Sequence, residues 1–358
     1  MATLKSKKKV NTGTDRNAQR ETIAADGNST VGSTTEDEPS EAVTGFSRDV
    51  IPVETALTRL FGSLQVRYDD PYRNEFSTGY RELDALTAGL HAEDLIVIGG
   101  RPMSGKTALA LGVAQHVGIK CRNGVAFFSP ESTSTQLATR LIASLGWVAM
   151  SAIRSGHIED DDHWARVAAS IKLLKQARMW VDDTPGLTPD QMHEKVFQLQ
   201  KNHGELSLVV VDNLQQMRVP GLRSNRTAEV TEVVRSLKEL AKEARVPVVA
   251  TSHLIRPTER SWNNGRPVLT DLRDSGAIED VADAVLLLHR PETELGAVEV
   301  ILAKQKHGAC GSFKLRFREE FSLMESIQTV EDFATAERLS AEERDALRAG
   351  LATSRKAV

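Results

Sequence analysis

A run of eight residues beginning at Gly100 carries the clearest chemical signal in the chain. It comprises Gly100, Arg101, Pro102, Met103, Ser104, Gly105, Lys106 and Thr107, between an apolar segment at 95–98 and an apolar helical pattern at 108–117. Glycines at this spacing before Lys-Thr predict a loop whose backbone N–H groups face phosphate oxygens at a helix N-terminus. Lys106 would reach the β- and γ-phosphates of a nucleoside triphosphate, ATP by default, and Thr107 would ligate Mg²⁺. A glycine-rich strand–helix turn without a ligand is the structural alternative.

Two carboxylates follow apolar segments farther along the chain. Asp212 comes directly after residues 208–211, and an acid at the end of a strand downstream of a phosphate loop is typical of an Mg²⁺ site. Glu131 follows the segment 125–129. At the carboxyl edge of a parallel sheet it could polarise the water that attacks the γ-phosphate. Each acid also has a structural interpretation, because Asp and Glu are favoured at helix N-termini.

Polar and basic residues follow three further segments. His253 ends a Thr-Ser-His triplet after an apolar run, where it could contact the γ-phosphate or be a structural histidine. Two loops, one after Asp212 and one between two later strands, contain Arg218, Arg223, Arg226, Arg273, Asp274 and Gly276. Such loops could line a path for a nucleic-acid backbone. Charged loops that are only solvated are the alternative.

Composition limits the classes of partner. The 358 residues carry a formal net charge of −4, so nucleic-acid contact would require a local basic surface. No stretch approaches the roughly 20 apolar residues of a membrane span, so we expect no membrane partner. The two cysteines, Cys121 and Cys310, lack metal-ligand spacing. They are typical of a reducing compartment, and we expect a cytoplasmic location.

Apolar segments alternate with amphipathic helical patterns from residue 78 to residue 327. Strands are predicted at 95–98, 125–129, 179–182, 208–211, 246–251 and 284–288, and helices at 106–117, 134–145, 162–176, 189–201 and 228–244. The strand segments are continuously apolar, as in a parallel sheet that helices cover on both faces. Their order predicts a doubly wound, mostly parallel α/β sheet. Two later segments, at 298–303 and 313–317, predict an antiparallel hairpin at the sheet edge.

These patterns divide the chain into four regions. Residues 1–48 contain almost no large apolar residues, and we expect a disordered tail. Residues 49–75 contain a helix and a loop, and one face of the helix carries the apolar stripe Val53, Leu57, Leu60, Phe61 and Leu64. This stripe would pack on its own domain or on a neighbouring subunit. We predict the α/β domain at residues 76–327 and a charged helical tail at residues 328–358.

The motifs together resemble the C-terminal motor domain of DnaB-type replicative DNA helicases, which is RecA-like. The resemblance covers residues 52–327. Its blocks follow the order and spacing of the family: Thr78-Gly79-Tyr80 through Thr107, Phe127-Phe128-Ser129 with Glu131, Asp212-Asn213-Leu214-Gln215 with Arg218-Val219-Pro220, Asn225-Arg226-Thr227, Asp271-Leu272-Arg273-Asp274-Ser275-Gly276 with Ile278, Glu279, Ala282 and Asp283, and Lys304-Gln305-Lys306 with Gly308. The resemblance implies an ATP- and Mg²⁺-dependent hexameric ring that acts on single-stranded DNA in replication, moving 5′ to 3′.

The resemblance also implies roles for individual residues. Glu131 matches the glutamate that activates water, and Asp212 matches the acid near Mg²⁺. The loop with Arg273, Asp274 and Gly276 matches the one that holds the DNA backbone. Lys304 and Lys306 match residues that reach the ATP site of the next subunit, and the helix with the apolar stripe matches a linker helix that docks on that subunit.

The chain departs from the family pattern in four places. The family's N-terminal helical domain is expected to be absent, which leaves recruitment of a primase or helicase loader open. His253 stands where bacterial members usually have Gln, and Lys306 stands in place of an arginine that acts in trans. Pro130 and Ser132 flank Glu131 in place of Leu and Met. The expected absence of the N-terminal helical domain suggests that the protein acts in the replication of a phage, plasmid or mobile element.

Two other functions remain as alternatives. One is a RecA-like DNA-dependent ATPase that assists recombination, repair or replication without unwinding. The other is an assembly factor that binds ATP and hardly turns it over, against which the retained Lys106, Glu131 and Asp212 argue.

Overall fold

The computed structural model describes residues 50–69, 77–158, 160–222, 224–254, 265–272, 275–291 and 294–327. The predicted N-terminal tail and C-terminal charged helix lie outside these residues. So do Arg223, Arg273 and Asp274, three of the residues predicted to contact DNA.

Nine strands form one sheet in the order β3-β2-β4-β5-β1-β6-β7-β8-β9. They are β1 Leu95–Gly100, β2 Gly124–Phe128, β3 Met179–Asp182, β4 Leu206–Val211, β5 Val248–His253, β6 Ala284–His289, β7 Ala297–Gln305, β8 Gly311–Arg318 and β9 Leu323–Ser326. Strands β1 to β6 pair in parallel, and β7 to β9 continue the sheet antiparallel. The predicted doubly wound, mostly parallel sheet with an antiparallel edge is confirmed.

Nine α-helices lie within the described ranges. They are α1 Val53–Asp69, α2 Arg81–Thr87, α3 Lys106–Gln115, α4 Ser134–Gly146, α5 Met150–Ser155, α6 Asp161–Gln176, α7 Pro189–His203, α8 Arg226–Ala244 and α9 Ser275–Val281. Capping boxes begin two of them: Thr133 and Gln136 cap α4, and Thr188 and Gln191 cap α7. In the described part of the chain, none of the helices has both the length and the apolar character that crossing a membrane requires.

The continuous apolar strands are buried on both faces of the sheet. Alternate residues of β4 divide between two hydrophobic clusters: Val209 and Val211 belong to one, and Leu208 and Val210 to the other. All four side chains are fully buried. Because helices cover both faces, a strand in the centre of the sheet has no polar side, which explains why its sequence does not alternate.

The antiparallel edge is larger than the sequence predicts. A third strand, β9, pairs with β8, so the edge is a three-stranded meander rather than a hairpin. Strand β9 has only four residues, too few for a periodic signal. The short helices α2, α5 and α9 were also not predicted. The helix predicted at 106–117 ends α-helical at Gln115 and continues as a π-helical turn, His116–Lys120.

Candidate functional site

The eight-residue phosphate loop connects β1 to α3, as its pattern requires. Gly105 is the N-cap of α3 with φ 95°, a conformation that favours glycine because a Cβ would clash with the backbone. A Cβ at Gly105 would also meet Met324 Cε at 2.7 Å, so β9 covers the loop closely. The Lys106 ammonium group donates to the carbonyl oxygens of Gly100 and Arg101, both at 2.9 Å.

Asp212 follows β4 directly and lies against the first turn of α3. Its Oδ2 accepts a hydrogen bond from Thr107 Oγ1 at 2.8 Å, and its Oδ1 accepts one from Thr251 Oγ1 at 2.6 Å. Asp212 is 3% exposed. Burial raises the pKa of Asp212, against the opposing hydrogen bonds from Thr251 and Thr107. Burial also lowers the pKa of Lys106, which the charges of Asp212 and Glu131 oppose.

Glu131, Asn213 and His253 meet beside Asp212. Asn213 Nδ2 donates to Glu131 Oε2 and lies 2.8 Å from His253 Nε2. The His253 imidazole lies 3.7 Å from the Glu131 carboxylate. Interaction with His253 is the largest influence on the Glu131 carboxyl and lowers its pKa, whereas burial opposes this shift. The carboxyl is therefore ionised near neutral pH, as a water-positioning base must be.

These side chains line one cavity of about 470 Å³ at the carboxyl end of the parallel strands. Parallel neighbours β2, β4 and β5 deliver Glu131, Asp212 and His253 to this edge, where α/β proteins bind ligands. We call Thr107, Glu131, Asp212, Asn213 and His253 the strand-end cluster. The volume lies within the range of small-molecule sites.

The residues present fit a nucleoside triphosphate with Mg²⁺. The Ser104 hydroxyl is buried in the loop, and among the described residues its oxygen has no hydrogen-bond partner. Lys106 Nζ donates to two carbonyl oxygens. Among the described residues, no acid lies within ion-pair distance of its charge. Thr107 and Asp212 place a hydroxyl and a carboxylate oxygen side by side, the oxygen ligands that Mg²⁺ prefers.

Lys304 and Lys306 lie where β7 ends, at the edge of the sheet opposite the strand-end cluster. Lys304 Nζ donates to the carbonyl oxygens of Glu279 and Asp280 at the end of α9. Lys306 Nζ pairs with Asp283 Oδ1 at 2.9 Å and donates to the carbonyl oxygen of Val281 at 3.3 Å. We call these two lysines, with Asp283 and the end of α9, the lysine edge. Neither lysine lines the cavity of its own chain.

Asp283 holds a second lysine in addition to Lys306. The carboxylate is 4% exposed and accepts hydrogen bonds from Lys238 Nζ and from the backbone N–H of Leu95. Burial alone would raise the pKa of Asp283, but the hydrogen bonds from Leu95, Lys238 and Lys306 outweigh it and lower the pKa.

Two residues predicted to lie in DNA-binding loops belong to helices instead. Arg226 is the first residue of α8, and its guanidinium donates to the buried Glu229 and to the carbonyl oxygen of Gln215. Gly276 lies in the first turn of α9. The loop prediction was wrong for both because Gly-rich and Arg-rich composition does not reveal where a cap begins the next helix. Asn225 provides that cap for α8 through a hydrogen bond to Ala228 N–H.

The sequence matches the family model of the DnaB-like helicase C terminal domain over residues 76–326. The chain belongs to this family. The replicative DNA helicase DnaB of Buchnera aphidicola subsp. Baizongia pistaciae is 36% identical over 279 residues, covering 75% of this chain and 60% of that protein. Its counterpart in Pasteurella multocida is 38% identical, covering 72% of this chain and 56% of that protein. The chain thus spans less than two thirds of the length of these relatives.

Solved structures share the fold of this DnaB-family chain. A separately solved ATPase domain superposes with a TM-score of 0.72 at 28% identity, covering 78% of this chain and all of that one. A DnaB-like replicative helicase, studied with its interactions with primase, superposes with a TM-score of 0.70 at 27% identity. That match covers 78% of this chain and 68% of the other.

Several residues of the DnaB-like site were missed by the sequence patterns, and three of them show why. Asn213 follows Asp212 directly, and this adjacency was the one signal that could have found it. Arg140 on α4 and Phe317 on β8 also line the cavity. Arg140 lies within a helix and Phe317 within an edge strand, so neither has a local pattern that distinguishes it from a surface or core residue.

Proposed function

We propose that this DnaB-family chain is an ATP-driven helicase or translocase that moves along single-stranded DNA, 5′ to 3′, in DNA replication. The observation that carries the proposal is the convergence of the phosphate loop, Asp212 and Glu131 on one cavity at the strand ends. Acids and a lysine at this spacing serve phosphoryl transfer from a nucleoside triphosphate. Lys106, Glu131 and Asp212 make ATP turnover, rather than ATP binding alone, the function that this cavity supports.

Each residue of the cavity has a distinct task in this proposal. The backbone N–H groups of the loop and the Lys106 ammonium group hold the phosphates. Glu131 orients the attacking water and accepts its proton, and His253 lies beside it to sense the γ-phosphate. Thr107 and Asp212 would hold Mg²⁺, which when bound neutralises charge on the phosphate oxygens.

We propose that the chain works as a homo-oligomer, a hexameric ring. Four residues of the apolar stripe on α1 support this: Val53 is 74% exposed, Leu57 58%, Phe61 68% and Leu64 52%. An amphipathic helix with its apolar face in water requires a partner. In this arrangement Lys304 and Lys306 reach the ATP site of the next subunit, and residues 49–75 form the linker between the N-terminal tail and the motor domain at 76–327.

Truncation tests the oligomer. Deletion of residues 1–48 should leave the ring intact, and deletion of residues 1–70 should yield monomers because the stripe is removed. Size-exclusion chromatography with light scattering measures both. An intact ring after the longer deletion would disprove the role of α1.

DNA contact is proposed for Arg273 and Asp274, for Gly276 in the first turn of α9, and for the predicted loop with Arg223. Arg226 is retained in the proposal only as a residue that supports this loop, because Glu229 and Gln215 occupy its guanidinium. A primase or helicase loader is a further proposed partner, supported by the DnaB-like neighbour that interacts with primase.

A strand-displacement assay on forked DNA tests the proposed function. With ATP and Mg²⁺, the wild-type protein should displace the strand, and Lys106→Ala should not, because it loses the charge that holds the phosphates. DNA-stimulated ATP hydrolysis without displacement would instead favour the RecA-like accessory ATPase. Absence of ATP hydrolysis by the wild-type protein would reject both.

A further inference from the structure

Asn213 lies at the centre of the strand-end cluster, although the sequence patterns assign it no role. It is 1% exposed, and its side chain contacts two residues from different strands. Its Nδ2 donates to Glu131 Oε2, after β2, and lies 2.8 Å from Nε2 of His253, the last residue of β5. A single amide group therefore connects the carboxylate that would handle water to the imidazole beside it.

The chemistry of an amide determines what this contact does. An Asn –NH₂ group has two hydrogens and no acceptor, so it can give one hydrogen to Glu131 and the other to His253. The reversed amide would point its carbonyl oxygen at the Glu131 carboxylate, which is repulsive, so hydrogen bonding selects the orientation with Nδ2 inward. The same Nδ2 lies within hydrogen-bond distance of His253 Nε2, so the amide also holds the imidazole in place beside Glu131.

Two further atoms of the pair face the interior without a hydrogen-bond partner among the described residues. They are Asn213 Oδ1 and His253 Nδ1. Because both atoms are buried, the contacts that position the pair are those of Asn213 Nδ2 with Glu131 and with His253 Nε2.

The backbone of His253 is fixed by a different residue. Gln215 Oε1 accepts a hydrogen bond from the His253 N–H at 3.2 Å, and Gln215 Nε2 donates to Ser252 Oγ at 2.8 Å. Because Gln215 holds the end of β5, a substitution at Asn213 should change the side-chain contacts of Glu131 and His253 and leave the strand end in place.

We infer that Asn213 is a positioning residue, whose amide holds the His253 ring in place and aims Glu131 at the attacking water. This inference deepens the proposed ATPase function and rests on it. The charged and titratable groups that line the cavity around the amide are Glu131, His253, Lys106, Asp212, Arg140 and Glu319.

Two substitutions separate the amide's hydrogen bonds from its volume. Asn213→Leu keeps the size and removes both donors, whereas Asn213→Asp keeps the shape and adds a negative charge. Each should lower kcat for ATP by roughly tenfold to a hundredfold, within the range of general-base effects, and change KM by less than about threefold because the phosphate loop is untouched. Asn213→Asp should also move the acid limb of the kcat–pH profile upward, since a nearby carboxylate raises the pKa of Glu131.

Asn123→Asp provides the matched control. It makes the same chemical change in the turn before β2, at the opposite end of that strand from Glu131, and should leave kcat and the pH profile unchanged. Wild-type values of kcat and of the acid limb in both Asn213 variants would overturn the inference, while wild-type hydrolysis would still support the proposed function.

Nitrogen-15 NMR of the His253 ring tests the inference without ATP turnover. The ring signals should shift in Asn213→Leu and in Asn213→Asp and should stay at their wild-type positions in Asn123→Asp. Wild-type ring signals in either folded Asn213 variant would overturn the inference. Absence of ATP hydrolysis by the wild-type protein would reject the proposed function, and the spectra would still show whether Asn213 contacts His253.

Discussion

In the strand-end cluster, side chains from different elements contact one another across the top of the sheet. Thr107 meets Asp212, and Asn213 joins Glu131 to His253. In the lysine edge, by contrast, Lys304 and Lys306 contact carbonyl oxygens at the end of α9 and the carboxylate of Asp283. The first region brings its polar groups together within one chain. In the second region, both lysines contact nearby oxygen atoms of their own chain, outside that chain's cavity.

This difference indicates how each region obtains its geometry. Parallel strands in register place their ends together whatever the loops do, so the cluster forms as a consequence of the sheet. A cation that acts on a neighbouring subunit has no target in its own chain and needs a resting contact instead. Substitutions at Lys306 test whether this lysine leaves its resting contact when a second copy is present.

The largest effect is expected at Lys306. Lys306→Ala should lower DNA-stimulated ATPase activity by about 10³-fold or more, the scale of a cation supplied in trans. Lys306→Arg should preserve or raise activity, because arginine adds a planar fork to the same charge. Steady-state ATPase assays with saturating single-stranded DNA measure both.

Mixed rings decide whether Lys306 acts across the interface. Rings that contain Lys306→Ala and Glu131→Gln subunits should recover part of the activity, because some interfaces pair an intact Glu131 site with an intact Lys306. No recovery at any ratio, with mixing confirmed, would mean that the lysine acts within its own chain or not at all. The lysine edge, like the strand-end cluster, would then have no role across the subunit interface.

The next effect is expected in the strand-end cluster. Glu131→Gln should lower ATP turnover by about 10²–10⁴-fold, because the amide cannot accept the water's proton. ATP binding should persist, measured by equilibrium titration, and the protein should remain trapped on single-stranded DNA. Lys106→Ala is the contrasting variant and should weaken nucleotide binding itself. Turnover near wild type in Glu131→Gln would remove Glu131 from the water-positioning role.

The smallest effects distinguish two arginines. Arg226→Ala should destabilise the fold by about 2 kcal/mol, the scale of a hydrogen bond to a buried charged group, because Glu229 is 2% exposed. Arg273→Ala should leave stability unchanged and reduce the slope of log K against log salt by roughly one phosphate contact. Thermal unfolding and salt titrations of single-strand binding measure the pair. The reverse assignment would show that Arg226, not Arg273, contacts the DNA backbone.

The sequence predicts the centre of the sheet and two of the three antiparallel edge strands but misses β9, for a physical reason. A strand buried on both faces, such as β4, must be apolar at every position, and that composition stands out from its surroundings. Strand β9 is half-exposed and only four residues long, so it has neither a run nor a period. The strand-end acids were predictable because Asp212 follows β4 directly and Glu131 comes three residues after β2.

Residues that join the site from elsewhere could not be predicted in this way. Arg140 reaches the cavity from within α4, and Phe317 reaches it from β8 because the antiparallel edge covers the phosphate loop. Their positions depend on how elements pack, not on local spacing. For Arg226 the local sequence suggested a function that packing does not support. Its neighbourhood suggests a basic loop, but Arg226 begins α8 and pairs with the buried Glu229 three residues later.

The buried carboxylate of Asp283 contacts two lysines, and this affects how readily Lys306 can exchange its counterion. Removing the only partner of a buried charge is costly, but Lys238 and the Leu95 N–H would remain on Asp283 if Lys306 departed. Moving Lys306 from this carboxylate to a phosphate on a neighbouring subunit therefore replaces one ion pair by another and leaves no buried charge uncompensated. Because salt screens both pairs, the exchange itself should depend only weakly on ionic strength, in contrast to the binding of DNA.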